Sequence, residues 1–227
     1  MELVRGLVGR YVVRAALLVI IVTSVVARAA GDAPAPRPSG VAPGTVLVRG
    51  QGRHALGSPR ARVVIVEFSD YQCPFCRRHA EQVFPRLKAD YVDTGKVRYV
   101  VRDLPLDIHS EAFAAAEAVR CAGAAGKFWP VRDALLAAKG PLDRARLLAV
   151  ARESGVPEAP FKTCLDEHRF AADIRRDKAD AAAAGLDATP AFVIGTAGPE
   201  GVTGLPFVGA RPYRSFANRI EYLLRTP

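Results

Sequence analysis

Val63-Val-Ile-Val-Glu-Phe68 is a β-branched, almost wholly apolar run that follows the turn signal Gly57-Ser-Pro59. A run without polar alternation reads as a strand buried on both faces, and such strands lie in sheets covered by helices. The next segment completes a unit. Pro74 opens a stretch in which Cys76, Ala80, Val83, Leu87 and Tyr91 recur at helical spacing, and Val97-Arg-Tyr-Val-Val101 follows as a second strand. This β-α-β order implies parallel strands joined by a right-handed crossover. Pro85 predicts a kink in the helix, because its ring removes one backbone hydrogen bond.

From Ser110 to Ala184 the character changes: 22 of 75 residues are alanine, with breaks at Gly123–Gly126, Gly140-Pro141 and Gly155–Pro160. That pattern predicts four or five helices packed through small residues. Strand character resumes at Ala191-Phe-Val-Ile194, with Leu205-Pro-Phe-Val208 as a hairpin partner. Phe216, Ile220 and Leu223, at i, i+4 and i+7, predict a closing amphipathic helix. Strands at both ends with helices between them make one α/β domain carrying a helical insertion over about 105–185.

Half the residues are apolar and 24% are charged, the balance of a chain with a true core; this excludes wholesale disorder and collagen-like repetition. The formal net charge is +9, but residues 1–60 carry eight Arg against two acids, while residues 61–227 carry 24 basic and 21 acidic residues. A domain so nearly balanced has no electrostatic footprint for a phosphate backbone, so no nucleic-acid partner is expected.

The excess charge belongs to the N-terminus. Arg5, Arg10 and Arg14 precede the apolar run Ala15–Ala27, which is short for a membrane span. Ala27-Arg-Ala29 offers the small residues of a cleavage site. Residues 1–30 are therefore expected to be a signal peptide, with an uncleaved membrane anchor as the alternative. Residues 31–52, with Pro34, Pro36, Pro38 and Pro43, have linker composition, so the folded domain is expected to span 53–227.

Cysteines stand at positions 73, 76, 121 and 164. An even count in an exported chain points to disulfides, with three possible pairings. Cys73-Pro-Phe-Cys76 sits where the first strand ends and a helix begins. A thiol there faces unpaired N–H groups and the positive end of the helix dipole, and both favour the thiolate that attacks disulfides. A zinc site would have to recruit Cys121 and Cys164, which are distant singletons, so neither metal nor cofactor is called for. Glu67 lies inside the apolar strand. An acid there either reaches solvent at the strand end or is buried and held neutral. His79 reads as a packed or surface imidazole, His109 as a helix-start residue, Phe128 and Trp129 as core of the insertion, and Arg175-Arg-Asp-Lys178 as a solvated helix face.

Phe68-Ser-Asp-Tyr-Gln-Cys-Pro-Phe-Cys-Arg-Arg-His79, with Leu104-Pro-Leu106, Gly126-Lys-Phe-Trp129 and Gly185 before Ala188-Thr-Pro-Ala-Phe192, resembles the DsbA-like thiol:disulfide oxidoreductases. The resemblance runs in order over roughly residues 55–225. It implies a thioredoxin-like sheet with an inserted α-helical subdomain, Cys73 as the nucleophile and Cys76 as the resolving thiol. It implies a cis Thr189-Pro190 bond facing the pair, where backbone can receive an extended client segment. It also implies that Glu67 is a buried proton acceptor assisting deprotonation of Cys76.

Two unpaired thiols would exchange with the active site in an oxidising compartment, so Cys121 and Cys164 are expected to form a structural disulfide. The expected protein is thus a monomeric, extracytoplasmic oxidoreductase acting on cysteine-containing exported clients and recycled by a membrane or soluble redox partner. The 22 residues of the linker leave no room for the dimerisation domain of related isomerases. A disulfide reductase or isomerase is the near alternative; a non-redox thioredoxin-fold binding module or glutathione-dependent isomerase is the distant one. Phe75 between the thiols offers no donor to a thiolate, which predicts a moderate rather than an extreme oxidant.

Overall fold

A computed structural model describes residues 44–50 and 54–226. The expected signal or anchor segment, and most of the expected linker, lie outside these residues. Six strands form one mixed sheet: β1 Val46–Arg49, β2 His54–Leu56, β3 Val63–Ser69, β4 Val97–Asp103, β5 Ala191–Ala197 and β6 Gly201–Val208. Their order is β1-β6-β5-β3-β4-β2. β3 and β4 are parallel, Val63 opposite Val97, and every other neighbouring pair is antiparallel.

β3 is central and buried along its whole length, which is why its sequence shows no polar alternation. Successive side chains feed opposite layers. Val63 and Ile65 join the larger core with Tyr99, Leu87 and Phe216, whereas Val64, Val66 and Phe68 join a second core with Val100, Val193 and Leu186.

The crossover from β3 to β4 is broken where Pro85 stands. α1 Pro74–Gln82 ends at Val83, α2 Phe84–Leu87 restarts with proline in its first turn, and a π-helical turn over Lys88–Val92 leads into β4. Between β4 and β5 lie α3 Ala112–Ala124, α4 Phe128–Ala137, α5 Arg144–Glu153, α6 Glu158–Asp166 and α7 Ala171–Ala183. α8 Tyr213–Arg225 closes the chain, burying Phe216 and Ile220.

Three expectations need correction. Residues 46–49 belong to the sheet and not to a linker: β1 pairs with β6, Val46 opposite Gly204 and Arg49 opposite Gly201. Four residues set among Pro and Gly carry too little periodicity to read as a strand; pairing with β6 supplies what the local pattern lacks. β6 likewise starts at Gly201, before the expected Leu205. Pro206 is tolerated because β1 reaches only to Gly204, leaving that half of β6 an edge where a missing N–H costs no ladder bond.

The third correction is Arg175–Lys178, which is only partly a solvated face. Asp177 is buried on α7 and pairs with Arg102 and Arg120, while Asp103 accepts from Arg120 at 2.6 Å. Counter-charges from β4 and α3, more than fifty residues away, make that burial affordable.

Candidate active site

The turn after β3 carries the redox pair to the mouth of α1. Cys73 is the N-cap of α1 and Pro74 its first residue, where a missing N–H is not needed. Both sulfurs are screened: Cys73 is 3% exposed and Cys76 fully buried, and both are present as free thiols. The Cys76 thiol donates to the Cys73 sulfur, and this bond is the largest cause holding Cys73 down to about 5, against the opposing effect of burial. Thr189 and the backbone N–H groups of Cys76 and Phe75 add to it.

Cys76 goes the other way. Burial, the bond to Cys73, and the nearby charges of Cys73 and Glu67 push its thiol well above the ordinary value, although the Asp70 N–H donates to its sulfur at 3.4 Å. The two adjacent thiols thus depart from the ordinary acidity in opposite directions.

Thr189-Pro190 is cis and precedes β5, with the Thr189 carbonyl oxygen 3.4 Å from the Cys73 sulfur. β3 and β5 pair antiparallel, Phe68 opposite Ala191, which brings this loop to the end of β3 where the redox turn begins.

Glu67 neither reaches solvent nor stays neutral. It is fully buried beneath the pair; Tyr99 donates to its Oε2 at 2.8 Å and Arg132 donates at 2.9 Å. Burial alone would raise its carboxyl. The Arg132 guanidinium and the hydrogen bonds from Tyr99 and Arg132 outweigh burial and hold it below the ordinary range. The expectation of a neutral acid fails because an equally buried cation arrives from α4. That partner left a trace in the sequence. Arg132 follows Val131 and precedes Leu135, a position that faces inward, and a cation there demands an acid.

His79 is packed against Phe192 and Phe216, its Nε2 lies 3.0 Å from Tyr99 Oη, and burial lowers it to about 4. It stands in the core as a neutral imidazole. Cys121 and Cys164 are joined in a disulfide with Cα atoms 5.9 Å apart, linking α3 to α6. Among the described residues no cluster of His, Cys, Asp or Glu is arranged to hold a metal ion.

Residues 50–199 match the thioredoxin family. The solved structure of Wolbachia pipientis alpha-DsbA1 is 26% identical and superposes with a TM-score of 0.67, covering 74% of this chain and 89% of that one. A Rickettsia prowazekii protein named as a protein-disulfide oxidoreductase is 28% identical over 124 residues, which is 52% of this chain and 45% of that protein.

A sodium/proton antiporter, NhaA 1 of Salinispora arenicola, is 37% identical over 142 residues, 62% of this chain but 21% of the antiporter. The chain spans only about a fifth to a quarter of the length of the antiporters it matches. No helix among the described residues is long and apolar enough to cross a membrane. The chain belongs to the thioredoxin family, and its fold is DsbA-like.

Proposed function

We infer that the protein is an extracytoplasmic thiol:disulfide oxidoreductase that oxidises, or exchanges disulfides in, cysteine-containing exported proteins through Cys73 and Cys76. The observation that carries this reading is the placement of the two free thiols, Cys73 at the N-cap of α1 with the Thr189 carbonyl oxygen 3.4 Å from its sulfur and Cys76 buried within the first turn.

In the oxidising direction a client thiolate attacks the Cys73 sulfur of the Cys73–Cys76 disulfide. That bond breaks, Cys76 leaves and takes up a proton from solvent, and Cys73 is joined to the client. A second client thiolate then attacks the client sulfur of the mixed disulfide and displaces Cys73 as a thiolate. Two client thiols are oxidised and one protein disulfide is reduced. A leaving group of low pKa departs fast, so a Cys73 near 5 favours this last step.

Glu67 acts by charge: as an anion paired with Arg132 it disfavours a second anion at Cys76, which keeps Cys76 protonated in the dithiol. The role of strong proton acceptor, implied by the resemblance, fits poorly with a carboxyl held below the ordinary range. Thr189 and Pro190 are the backbone against which an extended client segment lies. The basic, apolar segment at 1–30 supports export.

Refolding of reduced ribonuclease by the oxidised protein tests the reading. Given a client that already carries a disulfide, Cys76→Ser should accumulate the mixed disulfide formed when the Cys73 thiolate attacks it and displaces a client thiolate, and Cys73→Ser should be inactive and trap nothing. Turnover retained in Cys73→Ser would refute the assignment.

A further inference from the structure

The carboxylate of Asp70 is almost fully buried and accepts four hydrogen bonds. Oδ1 takes the backbone N–H of Gln72 at 2.8 Å and of Cys73 at 3.1 Å. Oδ2 takes the backbone N–H of Leu106 at 2.8 Å and lies 2.8 Å from Nδ1 of His109. One side chain thus closes the turn before the nucleophile and fastens that turn to the loop between β4 and α3. The backbone of the same residue reaches the other thiol, through the N–H that meets the Cys76 sulfur at 3.4 Å. A second clasp runs beside the first: Gln72 donates to Glu111 at 3.0 Å, and the same Glu111 oxygen takes the Leu142 N–H at 2.7 Å.

We propose that Asp70 is a positioning residue of the thiol–disulfide reaction, its buried carboxylate holding the Cys73 backbone so that the sulfur sits over the N–H groups at the start of α1. The inference rests on the redox reading above. Cys73 has an extended N-cap conformation, φ −68° and ψ 122°, and only in that conformation does its side chain face the N–H groups of Phe75 and Cys76. Nothing in the Cys73 side chain fixes that conformation; the Asp70 carboxylate does, by an Asx turn in which Oδ1 receives the Gln72 N–H and shares the Cys73 N–H with the Asp70 carbonyl oxygen at 3.2 Å. The second oxygen orients the first. Anchored by Leu106 and His109 on the far side, the carboxylate cannot rotate away from the turn. Asp70 touches neither client nor reacting sulfur through its side chain, so it acts through Cys73 and is not itself catalytic.

The test compares Asp70→Asn, Asp70→Ser and Asp70→Ala, all of which remove the charge, so that differences among them report the acceptor alone. The Cys73 titration is read from thiolate absorbance in the reduced protein, and a thermal midpoint is taken for each variant. Asparagine keeps an oxygen over Gln72 and Cys73, serine keeps a shorter one, and alanine keeps none. Asp70→Asn keeps one oxygen for Gln72 and Cys73 but turns an NH2 toward the Leu106 N–H, so Cys73 should stay more acidic in it than in the variants that keep less of the acceptor. Asp70→Ser should be weaker, and Asp70→Ala weaker than Asp70→Asn by at least about threefold in acid dissociation.

If Asp70→Ala does not fold, the Asn–Ser pair decides. Equal Cys73 acidity in every variant that folds, whatever the thermal midpoints do, would overturn the proposal and leave Asp70 a structural residue. If the oxidised parent does not refold reduced ribonuclease, it is the redox reading that fails, whatever the Cys73 titration shows.

Discussion

Cys73 and Cys76 share one helical turn, yet their protons are held with very different strength. The side chains between them supply no polar group, and of that dipeptide only the Phe75 N–H acts, on Cys73. The difference comes from depth. Cys73 receives a thiol and two backbone N–H groups, whereas Cys76 lies below it, dry, with the Glu67 charge nearby. A stability signature follows. The folded dithiol releases the Cys73 proton near pH 5, while the unfolded chain holds it to about 8.5. Across that window the unfolded state binds more protons, so the stability of the reduced protein rises with pH and is lost as pH falls through 5. The disulfide form has no such proton. Denaturant unfolding of both forms at pH 5 and pH 8 should show the reduced form gaining on the oxidised form at the higher pH; a difference independent of pH would contradict the assigned acidity.

The α3–α6 disulfide ties two helices of the insertion together. Cys121–Cys164 closes a 43-residue loop, which on the chain-entropy account stabilises by about 4 kcal/mol. The double variant Cys121→Ala/Cys164→Ala should melt at a lower temperature with the potential of the Cys73–Cys76 pair nearly unchanged; a large shift in that potential would show that the insertion's rigidity sets the redox chemistry.

Elements of this kind differ in how far they can be read from sequence. β3, the broken crossover at Pro85 and the closing helix were legible because each owes its form to local pattern: an unbroken apolar run, a missing N–H, an i, i+4, i+7 stripe. β1 was not, since a four-residue strand exists only through its partner. At the site, the cysteine pair was legible from position alone. The state of Glu67 was not, because it depends on Arg132, 65 residues away on another element. The same holds for Asp177, whose burial waits on Arg102 and Arg120, and for Asp70, whose four donors come from two separate loops. Local pattern determines elements; pairing of buried charge is decided by the tertiary contacts.

In the whole molecule the sheet is a frame that brings three distant segments to one end: the redox turn after β3, the loop after β4 and the Thr189-Pro190 loop before β5. The helical insertion packs into both cores, α7 joining the second through Ala181, and supplies Arg132 to the buried acid, so it takes part in the site as well as in the core. What this assembly sets is the balance between dithiol and disulfide, because each interaction that favours the Cys73 thiolate favours the reduced form and makes the pair a better oxidant. A Cys73 held to about 5 stands between the nucleophilic thiols of thioredoxin, at about 7, and DsbA, at about 3.5. The direct measurement is the reduction potential of the Cys73–Cys76 pair, by equilibration in glutathione redox buffers at neutral pH. The value should fall between about −120 mV, that of DsbA, and about −270 mV, that of thioredoxin. A potential below the thioredoxin value would contradict the account and make the protein a reductase.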